Sequence, residues 1–253
     1  MVMGSGTEPR RLARTDGAAR VQEFRKLLAS KNEALLEHRY FRLCEKNELP
    51  RGHLLEVVKQ LYCFSVFFER LLTRRITEYS SSQDQRILEL AREHLREEIG
   101  HAALFSECLL RNGVSREEIA ALAPKMFTKA MFGYLSTTLQ HENEYVANVA
   151  IVQVMESIGY HFFSRTLGVM RAHDMAADAL VHHTEADEHH PELGMDLVAG
   201  FDDATMGNSL RVVNDLYRLM AFVLDEWLGL QPASASVEGG GARKRRTLRP
   251  RAN

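Results

Sequence analysis

The chain has 253 residues, of which 45% are hydrophobic and 26% are charged, and its formal net charge is −2. This length and apolar content suit one large domain with a sizeable core. The near-neutral charge gives no reason to expect a nucleic-acid partner, and the lack of an apolar run long enough to span a bilayer excludes a membrane partner.

Apolar residues recur with the helical period, and no segment alternates with period two. We therefore predict an all-α domain over residues 19–230, with roughly seven helices around one core. The predicted helices cover, in chain order, residues 20–47, 53–79, 83–111, 115–122, a pair within 129–173, 175–199 and 204–230. Residues 1–18 are predicted to be a disordered leader and residues 231–253 a disordered basic tail.

Three cysteines, Cys44, Cys63 and Cys108, stand far apart in apolar helical surroundings. An odd number at such spacing indicates reduced core thiols and not a disulfide framework. The N-terminal residues lack the apolar stretch of a secretory signal. We therefore expect a cytoplasmic protein.

The third predicted helix carries Glu98 and His101, an E-x-x-H pair whose members share one helical face. Such a pair is the contribution of one helix to dinuclear carboxylate sites, although it also arises often by chance. The apolar residues Phe105 and Leu109 follow on the same stripe, which predicts that His101 faces the core. Glu97, four residues before His101, is the alternative carboxylate.

Two further glutamates stand in apolar stretches. Glu156 is isolated within residues 149–160, where a buried carboxylate is costly unless it is paired, protonated or bound to a cation. A metal ligand is the favoured interpretation, and a core ion pair is the alternative. Glu69 stands in a similar stretch, but the arginines Arg70, Arg74 and Arg75 could place that face at the surface, so ion pairing or solvent exposure is favoured.

The segment from His182 to His190 is rich in histidine and carboxylate. His183, Asp187 and His190 occupy positions i, i+4 and i+7, which lie on one face of a helix. The other register, with His182 and His189, offers no carboxylate and is less favoured. Two imidazoles and a carboxylate can bind iron, manganese or zinc, and a solvated polar helix face is the alternative.

The candidate ligands provide carboxylates and imidazoles from three predicted helices: Glu98, His101, Glu156, His183, Asp187 and His190. Such a set suits two metal ions bridged by carboxylates, with positions open for dioxygen and substrate. Because it contains no thiolate, this mixed nitrogen and oxygen set favours iron or manganese over structural zinc.

The order and spacing of these motifs resemble the ligand pattern of the haem-oxygenase-like diiron oxidases and oxygenases. The segments His38-Arg39-Tyr40-Phe41 and Glu48-Leu49-Pro50 also resemble the opening helices of that family. The resemblance covers about residues 20–230 and implies a seven-helix haem-oxygenase-like bundle. Members of the family use dioxygen for N-oxygenation, oxidative decarboxylation, desaturation or C–C cleavage of amino acids or fatty acids, often in natural-product biosynthesis.

By this resemblance the chain would bind two Fe(II)/Fe(III) ions and use dioxygen as cosubstrate to oxidise a small amino-acid-like or fatty-acid-like molecule. Glu98, His101 and His190 would share one iron with Glu156 nearby. Glu69 is a candidate for the extra carboxylate of the N-oxygenating members.

The substrate pocket is predicted beside Glu156, and no catalytic group is predicted beyond the metal ligands. A small-molecule substrate is the expected partner, and a homodimer is the candidate assembly. The residues predicted to line the pocket are Tyr160, Phe163, Phe132 and Met155.

Two alternatives to a haem-oxygenase-like diiron enzyme are compatible with the sequence. A ferritin-like diiron carboxylate bundle would use Glu69, the Glu98/His101 pair, Glu156 and the Asp187/His190 pair on four helices, but it leaves His183 without a role. The other alternative is a metal-free binding or maturation protein that shares the haem-oxygenase-like scaffold and has thiaminase-like relatives. No cysteine accompanies the candidate ligands, which disfavours a thiaminase-like nucleophile.

Overall fold

A computed structural model of the chain describes residues 8–186 and 192–230, which form helices and turns with no β-strand among them. The α-helices of this described part are α1 (Glu8–Leu36), α2 (Arg39–Glu45), α3 (Arg51–Tyr79), α4 (Gln85–Glu98), α5 (His101–Arg111), α6 (Arg116–Ala120), α7 (Met126–His141), α8 (Glu144–Asn148), α9 (Met155–Ala172), α10 (Asp178–Ala186) and α11 (Asp203–Trp227). A π-helix (Val149–Val154) joins α8 to α9, and a 3-10 helix (Met195–Gly200) precedes α11. The prediction of an all-α fold is confirmed.

The first predicted helix, residues 20–47, differs from the structure at its start and in its middle. Helix α1 begins at Glu8, inside the predicted leader, because alanines and arginines that favour helix continue the pattern upstream. Helix α1 ends at Leu36. His38 then caps the start of α2, because its Nδ1 accepts a hydrogen bond of 3.2 Å from the backbone N–H of Tyr40. Residues 1–7 and the predicted tail, 231–253, lie outside the described residues.

The third predicted helix, residues 83–111, is two helices in the structure. Helix α4 ends at Glu98 and α5 begins at His101. Between them Gly100 adopts a φ of +100°, a left-handed conformation that glycine reaches without the steric cost of a Cβ atom. The E-x-x-H pair therefore lies on either side of a helix break and not on one continuous helix.

The long predicted segment within residues 129–173 is α7, α8, the π-helix and α9. All six residues of the π-helix are buried. A π-helix widens the hydrogen-bonded turn and is frequent at functional sites. Glu156 follows directly, as the second residue of α9.

An aromatic cluster fills the core beside α9. The rings of Tyr40 and Phe162 stack at 5.2 Å, and the ring of Phe162 meets that of Trp227 edge-on at 5.8 Å. The indole N–H of Trp227 donates to Thr128 Oγ1 at 3.0 Å, so this buried polar group is satisfied. The cluster fixes α7, α9 and α11 against one another. No helix of the described residues is long and apolar enough to cross a membrane.

The three cysteines are buried and free, as the sequence predicts. Burial raises the pKa of Cys44 to about 12 and that of Cys108 to about 11, and it also raises the pKa of Cys63. The thiolate is the reactive form of cysteine. We therefore expect a disulfide reagent such as Ellman's to label none of the three thiols at pH 8 in the folded protein and all of them in denaturant. Rapid labelling of any thiol in the native protein would contradict this expectation.

Candidate metal centre

The structure brings together the predicted ligands that lie among the described residues. Glu98, His101, Glu156 and His183 come from α4, α5, α9 and α10, and none is more than 5% exposed. Asp187 and His190 lie outside the described residues, so their predicted roles remain predictions. The buried set therefore joins elements that are far apart in the sequence.

Glu98, His101 and His183 form the first group of candidate ligand atoms, all within 4.8 Å of one another. His101 Nδ1 lies 2.8 Å from Glu98 Oε2, and the rings of His101 and His183 are 4.3 Å apart. Metal bonds of about 2.0–2.2 Å place two donors of one ion no more than about 4.4 Å apart. Small side-chain movements would bring these ligand atoms close enough together to bind one ion.

A second group shares Glu98 with the first and adds Glu156 and His94, again with ligand atoms within 4.8 Å. His94 Nε2 lies 2.8 Å from Glu156 Oε1. His94 is not among the ligands predicted from the sequence, although its spacing offers a signal. His94, Glu98 and His101 have the same i, i+4, i+7 spacing as His183, Asp187 and His190.

Two phenylalanine rings pack against the ring of His183. Phe163 stacks on it at 4.3 Å with an angle of 18°, and Phe105 lies on it at 5.4 Å with an angle of 29°. His182 is exposed, and its ring meets the edge of His101 at 5.1 Å. His183 therefore faces the core and His182 faces solvent. This is the register that the sequence favours.

Of the two carboxylates that precede His101, Glu98 is buried in both groups and Glu97 is exposed. Glu69, the candidate extra ligand, lies outside both groups. Its Oε1 accepts hydrogen bonds from the backbone N–H groups of Gly100 at 3.0 Å and of Ala102 at 3.1 Å. Glu69 therefore caps the start of α5, the helix that begins with His101.

Removal of this cap is expected to destabilise the fold. Glu69→Ala would leave two helix-start N–H groups without their carboxylate, and loss of a cap costs about 0.5–2 kcal/mol. Glu78→Ala is the matched control on the same helix, because Glu78 makes an exposed ion pair with Arg74, a type worth about 0.2–0.5 kcal/mol. Urea unfolding followed by circular dichroism measures both. Equal losses in the two variants would contradict the capping role.

Beside the two groups lies an apolar cavity with about 710 Å³ of empty space, its opening to solvent included. Its wall carries Glu98, Glu156 and His183 together with side chains of α3, α7, α9 and α11. None of the residues that line it in the described part of the chain is Lys, Arg or Cys. The other lining residues are Leu61, Phe64, Ser65, Phe68, Thr128, Met131, Met155, Ile158, Gly159, Phe162, Phe163, Met220, Val223 and Trp227.

The predicted pocket residues divide into two pairs. Phe163 and Met155 lie on the cavity wall, whereas Phe132 and Tyr160 do not. The ring of Phe132 stacks on that of Phe67 at 4.0 Å and meets that of the wall residue Phe64 at 5.4 Å. Tyr160 is half-buried, and its ring lies 5.3 Å from that of His161. Helix α9 turns only part of its face toward the cavity.

A buried arginine lies behind the second group. Arg75 is fully buried, and its Nη1 donates to His94 Nδ1 at 3.2 Å. Its Nη2 donates to Asn148 Oδ1, and Asn148 in turn donates to Gln153 Oε1 at 3.2 Å. Gln153 donates to the carbonyl oxygen of Leu193 at 2.6 Å. The network therefore links α3, the π-helix and the chain that follows the histidine-rich segment.

Burial lowers the pKa of the Arg75 guanidinium, and the neighbouring Tyr79 and Glu156 oppose that shift. The guanidinium carbon lies 5.4 Å from the centre of the Tyr79 ring, a cation–π contact. Arginine keeps its charge in proteins and has no acceptor atom. Arg75 thus places a positive charge and fixed hydrogen-bond donors behind the buried carboxylates.

The chain has a haem-oxygenase-like fold, which it shares with several solved structures. A domain of unknown function from Shewanella denitrificans, described as having a heme oxygenase-like fold, superposes with a TM-score of 0.70 at 14% identity, over 82% of this chain and 91% of that one. A TenA homologue from Pseudomonas syringae superposes with a TM-score of 0.68 at 13% identity, over 83% and 92% of the two chains. A CADD-like protein of unknown function from Nostoc punctiforme gives 0.64 at 12% identity, over 82% and 98%.

The sequence matches no protein-family model and no curated protein. The structural likenesses therefore establish the fold, which is the haem-oxygenase-like fold predicted from the ligand motifs. The ferritin-like bundle, the first alternative, is not the fold that these structures share.

Proposed function

We propose that the chain is a non-haem diiron oxidase or oxygenase that uses dioxygen to oxidise a small, largely apolar metabolite. The observation that carries this proposal is the convergence of Glu98, His101, Glu156 and His183 at an apolar cavity. Buried ionisable groups at such distances are costly unless cations or complete hydrogen bonding compensate them. A dinuclear metal centre would provide that compensation.

The donor set fits two first-row metal ions. Glu98, His101 and His183 would hold one ion, Glu156 would serve the second, and Glu98 belongs to both groups. Asp187 and His190 are proposed to complete the set. Carboxylate and imidazole ligands suit iron, and two ferrous ions held by them would supply the electrons that activate dioxygen.

The protein's own residues would keep this centre in place and keep water out. The phenylalanines Phe105 and Phe163 fix the plane of the His183 ring, and the Glu69 cap fixes the turn that bears His101. The apolar wall excludes water and aligns the substrate beside the carboxylates. Such preorganisation is the chain's contribution to the reaction.

The cavity favours a fatty-acid-like substrate over an amino-acid-like one. Apart from Glu98, Glu156 and His183, the polar side chains on its wall are Ser65 and Thr128, and Thr128 already binds Trp227. No Lys or Arg lies among the described lining residues, so the carboxylate of either kind of substrate would need the metal centre as its cationic partner. The ammonium group of an amino acid would add a second charge to a largely apolar wall, which is costly. An alkyl chain would occupy the apolar part, with its oxidisable end toward Glu156. Oxidative decarboxylation and desaturation are the reactions that suit such a substrate.

Anaerobic Fe(II) titration, read by equilibrium dialysis, tests the centre itself. We expect the wild-type chain to bind two Fe(II) ions and His183→Ala to lose at least one, while His141→Ala, a change on α7 outside both groups, binds as wild type. A folded wild-type chain that binds no iron would overturn the proposal.

The substrate class is tested with matched ligands. Decanoate and 2-aminodecanoate differ only in the ammonium group, and we expect the Zn(II)-loaded chain to bind decanoate more tightly by calorimetry. Tighter binding of 2-aminodecanoate would instead indicate an amino-acid-like substrate.

TenA-like chemistry without metal is the remaining candidate for this scaffold. A thiol nucleophile would have to reach the cavity, but none of the lining residues of the described chain is a cysteine. Burial also raises the pKa values of Cys44 and Cys108, to about 12 and about 11. The diiron proposal accounts for the buried carboxylates and imidazoles, and the thiol-based one does not.

A further inference from the structure

We propose that His94 is a positioning residue, fixed by the buried Arg75, that orients the Glu156 carboxylate and does not itself bind metal. The inference rests on the proposed function, because it takes Glu156 as a metal ligand. The juxtaposition that carries it is the row Arg75 Nη1, His94 Nδ1, His94 Nε2 and Glu156 Oε1, with contacts of 3.2 Å and 2.8 Å at its two ends.

Spacing alone suggests the opposite role for His94. It stands four residues before Glu98 and seven before His101, the position that His183 holds in the second motif. It is fully buried, and its ligand atom lies within 4.8 Å of those of Glu98 and Glu156. By these criteria His94 would be a third ligand of the second ion.

The hydrogen bond from Arg75 argues against ligation. A guanidinium can only donate, so Nδ1 of His94 must present its lone pair to Arg75. The proton of the neutral ring then lies on Nε2, which donates to Glu156 Oε1. If Nε2 bound a metal ion instead, the proton would move to Nδ1 and face the guanidinium, two donors 3.2 Å apart. Neither ring nitrogen is therefore available to an ion.

The row holds one carboxylate oxygen of Glu156 in place. Oε1 is held by His94, so Glu156 would bind an ion through Oε2. Phe68 meets the His94 ring edge-on at 5.8 Å, and Asn148 holds the far side of Arg75. The charge of Arg75 also offsets part of the negative charge of the buried carboxylates. Outer partners of this kind set the direction and basicity of metal ligands.

The protonated nitrogen of His94 can be observed directly. Long-range ¹H–¹⁵N spectra of the Zn(II)-loaded chain, labelled at histidine, separate pyrrole-type, pyridine-type and metal-bound nitrogens. We expect His94, assigned by its absence in His94→Gln, to carry its proton on Nε2 with no zinc-bound nitrogen. A zinc-bound nitrogen in His94 would overturn the proposal.

Metal affinity provides the second measurement. Glutamine can accept from Arg75 and donate to Glu156, so His94→Gln is expected to bind two Zn(II) ions within a few-fold of wild type. His94→Ala removes both contacts and should weaken one ion by about 10–100-fold, the cost typical of an outer partner. His183→Gln, in which a proposed direct ligand is replaced, should lose an ion outright.

The outcomes separate the two proposals. If His94→Gln loses an ion as His183→Gln does, His94 is a ligand and the inference fails while the diiron proposal stands. If the wild-type chain binds no metal, the proposed function fails, and the nitrogen spectra of the same chain still decide the state of His94. Circular dichroism of each variant confirms that the fold is intact.

Discussion

Glu98→Gln is expected to remove both ions from the chain, whereas Glu97→Gln should leave metal binding unchanged. Glu98 is the one residue that the two described groups share, so its loss affects each of them. Glutamine keeps the size of the side chain but removes its charge. We expect each affinity to fall by more than about 100-fold, beyond the 10–100-fold typical of outer partners.

Isothermal titration with Co(II) or Fe(II) under anaerobic conditions measures this effect, and the neighbouring residue supplies the control. Glu97 is exposed, so Glu97→Gln makes the same chemical change one residue away and outside both groups. If Glu98→Gln kept two ions at wild-type affinity, the shared carboxylate would not be a ligand. If Glu97→Gln lost them instead, the E-x-x-H pair would not be the metal-binding one.

Gly100→Ala is expected to destabilise the fold by about 1–3 kcal/mol, the cost of a strained backbone conformation. Gly100 has a φ of +100°, and a Cβ atom there would meet no neighbour within 4 Å, so the penalty is conformational and not steric packing. Because Glu98 and His101 flank this turn, relaxation of the strain would also move both side chains. We therefore expect weaker metal binding together with lower stability.

Gly133→Ala is the matched control for this change. Gly133 lies inside α7, is exposed, and also has open space where a Cβ would stand. Without a positive φ, the alanine should stabilise the helix by up to about 1 kcal/mol. Urea unfolding of both variants should therefore give changes of opposite sign. A stabilising Gly100→Ala would show that the turn between α4 and α5 is not strained by a side chain.

The part of the site that the sequence predicted depends on signals local to one helix. Glu156 stands out because its neighbours are apolar, and His183 stands out because its spacing to Asp187 and His190 follows a helical face. Glu98 and His101 were found by the same helical spacing, although the turn at Gly100 places them on two helices. Apolar neighbours and helical spacing are enough to select these residues, without knowledge of which helices pack against them.

The residues that the sequence did not reveal are those whose surroundings come from other helices. His94 stands among Arg92, Glu93 and Arg96, which give it the appearance of a surface position. Arg75 follows Arg74, yet Arg74 pairs with Glu78 at the surface while Arg75 is fully buried. Only the packing of α3 against α4 distinguishes these neighbours. Local composition cannot reveal a buried charge that a distant side chain satisfies.

The cavity wall and the helix breaks also could not be predicted from local sequence. Phe132 and Tyr160 were reasonable wall residues by type, but the wall is set by the rotation of α7 and α9 about their axes. The break at Gly100 was missed because Leu95 and Phe105 continue an apolar pattern across it. Glycine inside such a pattern is compatible with an unbroken helix, so pattern alone does not locate the turn.

The π-helix before α9 makes the direction of Glu156 depend on the length of the chain around residues 149–154. Each residue of an α-helix turns the next side chain by about 100°. An extra residue in a regular α-helix would therefore rotate Glu156 away from Glu98, and the wider turn of the π-helix accommodates that residue without the rotation. Alignments of haem-oxygenase-like proteins that assume a continuous helix here would therefore place the wrong residue opposite His94.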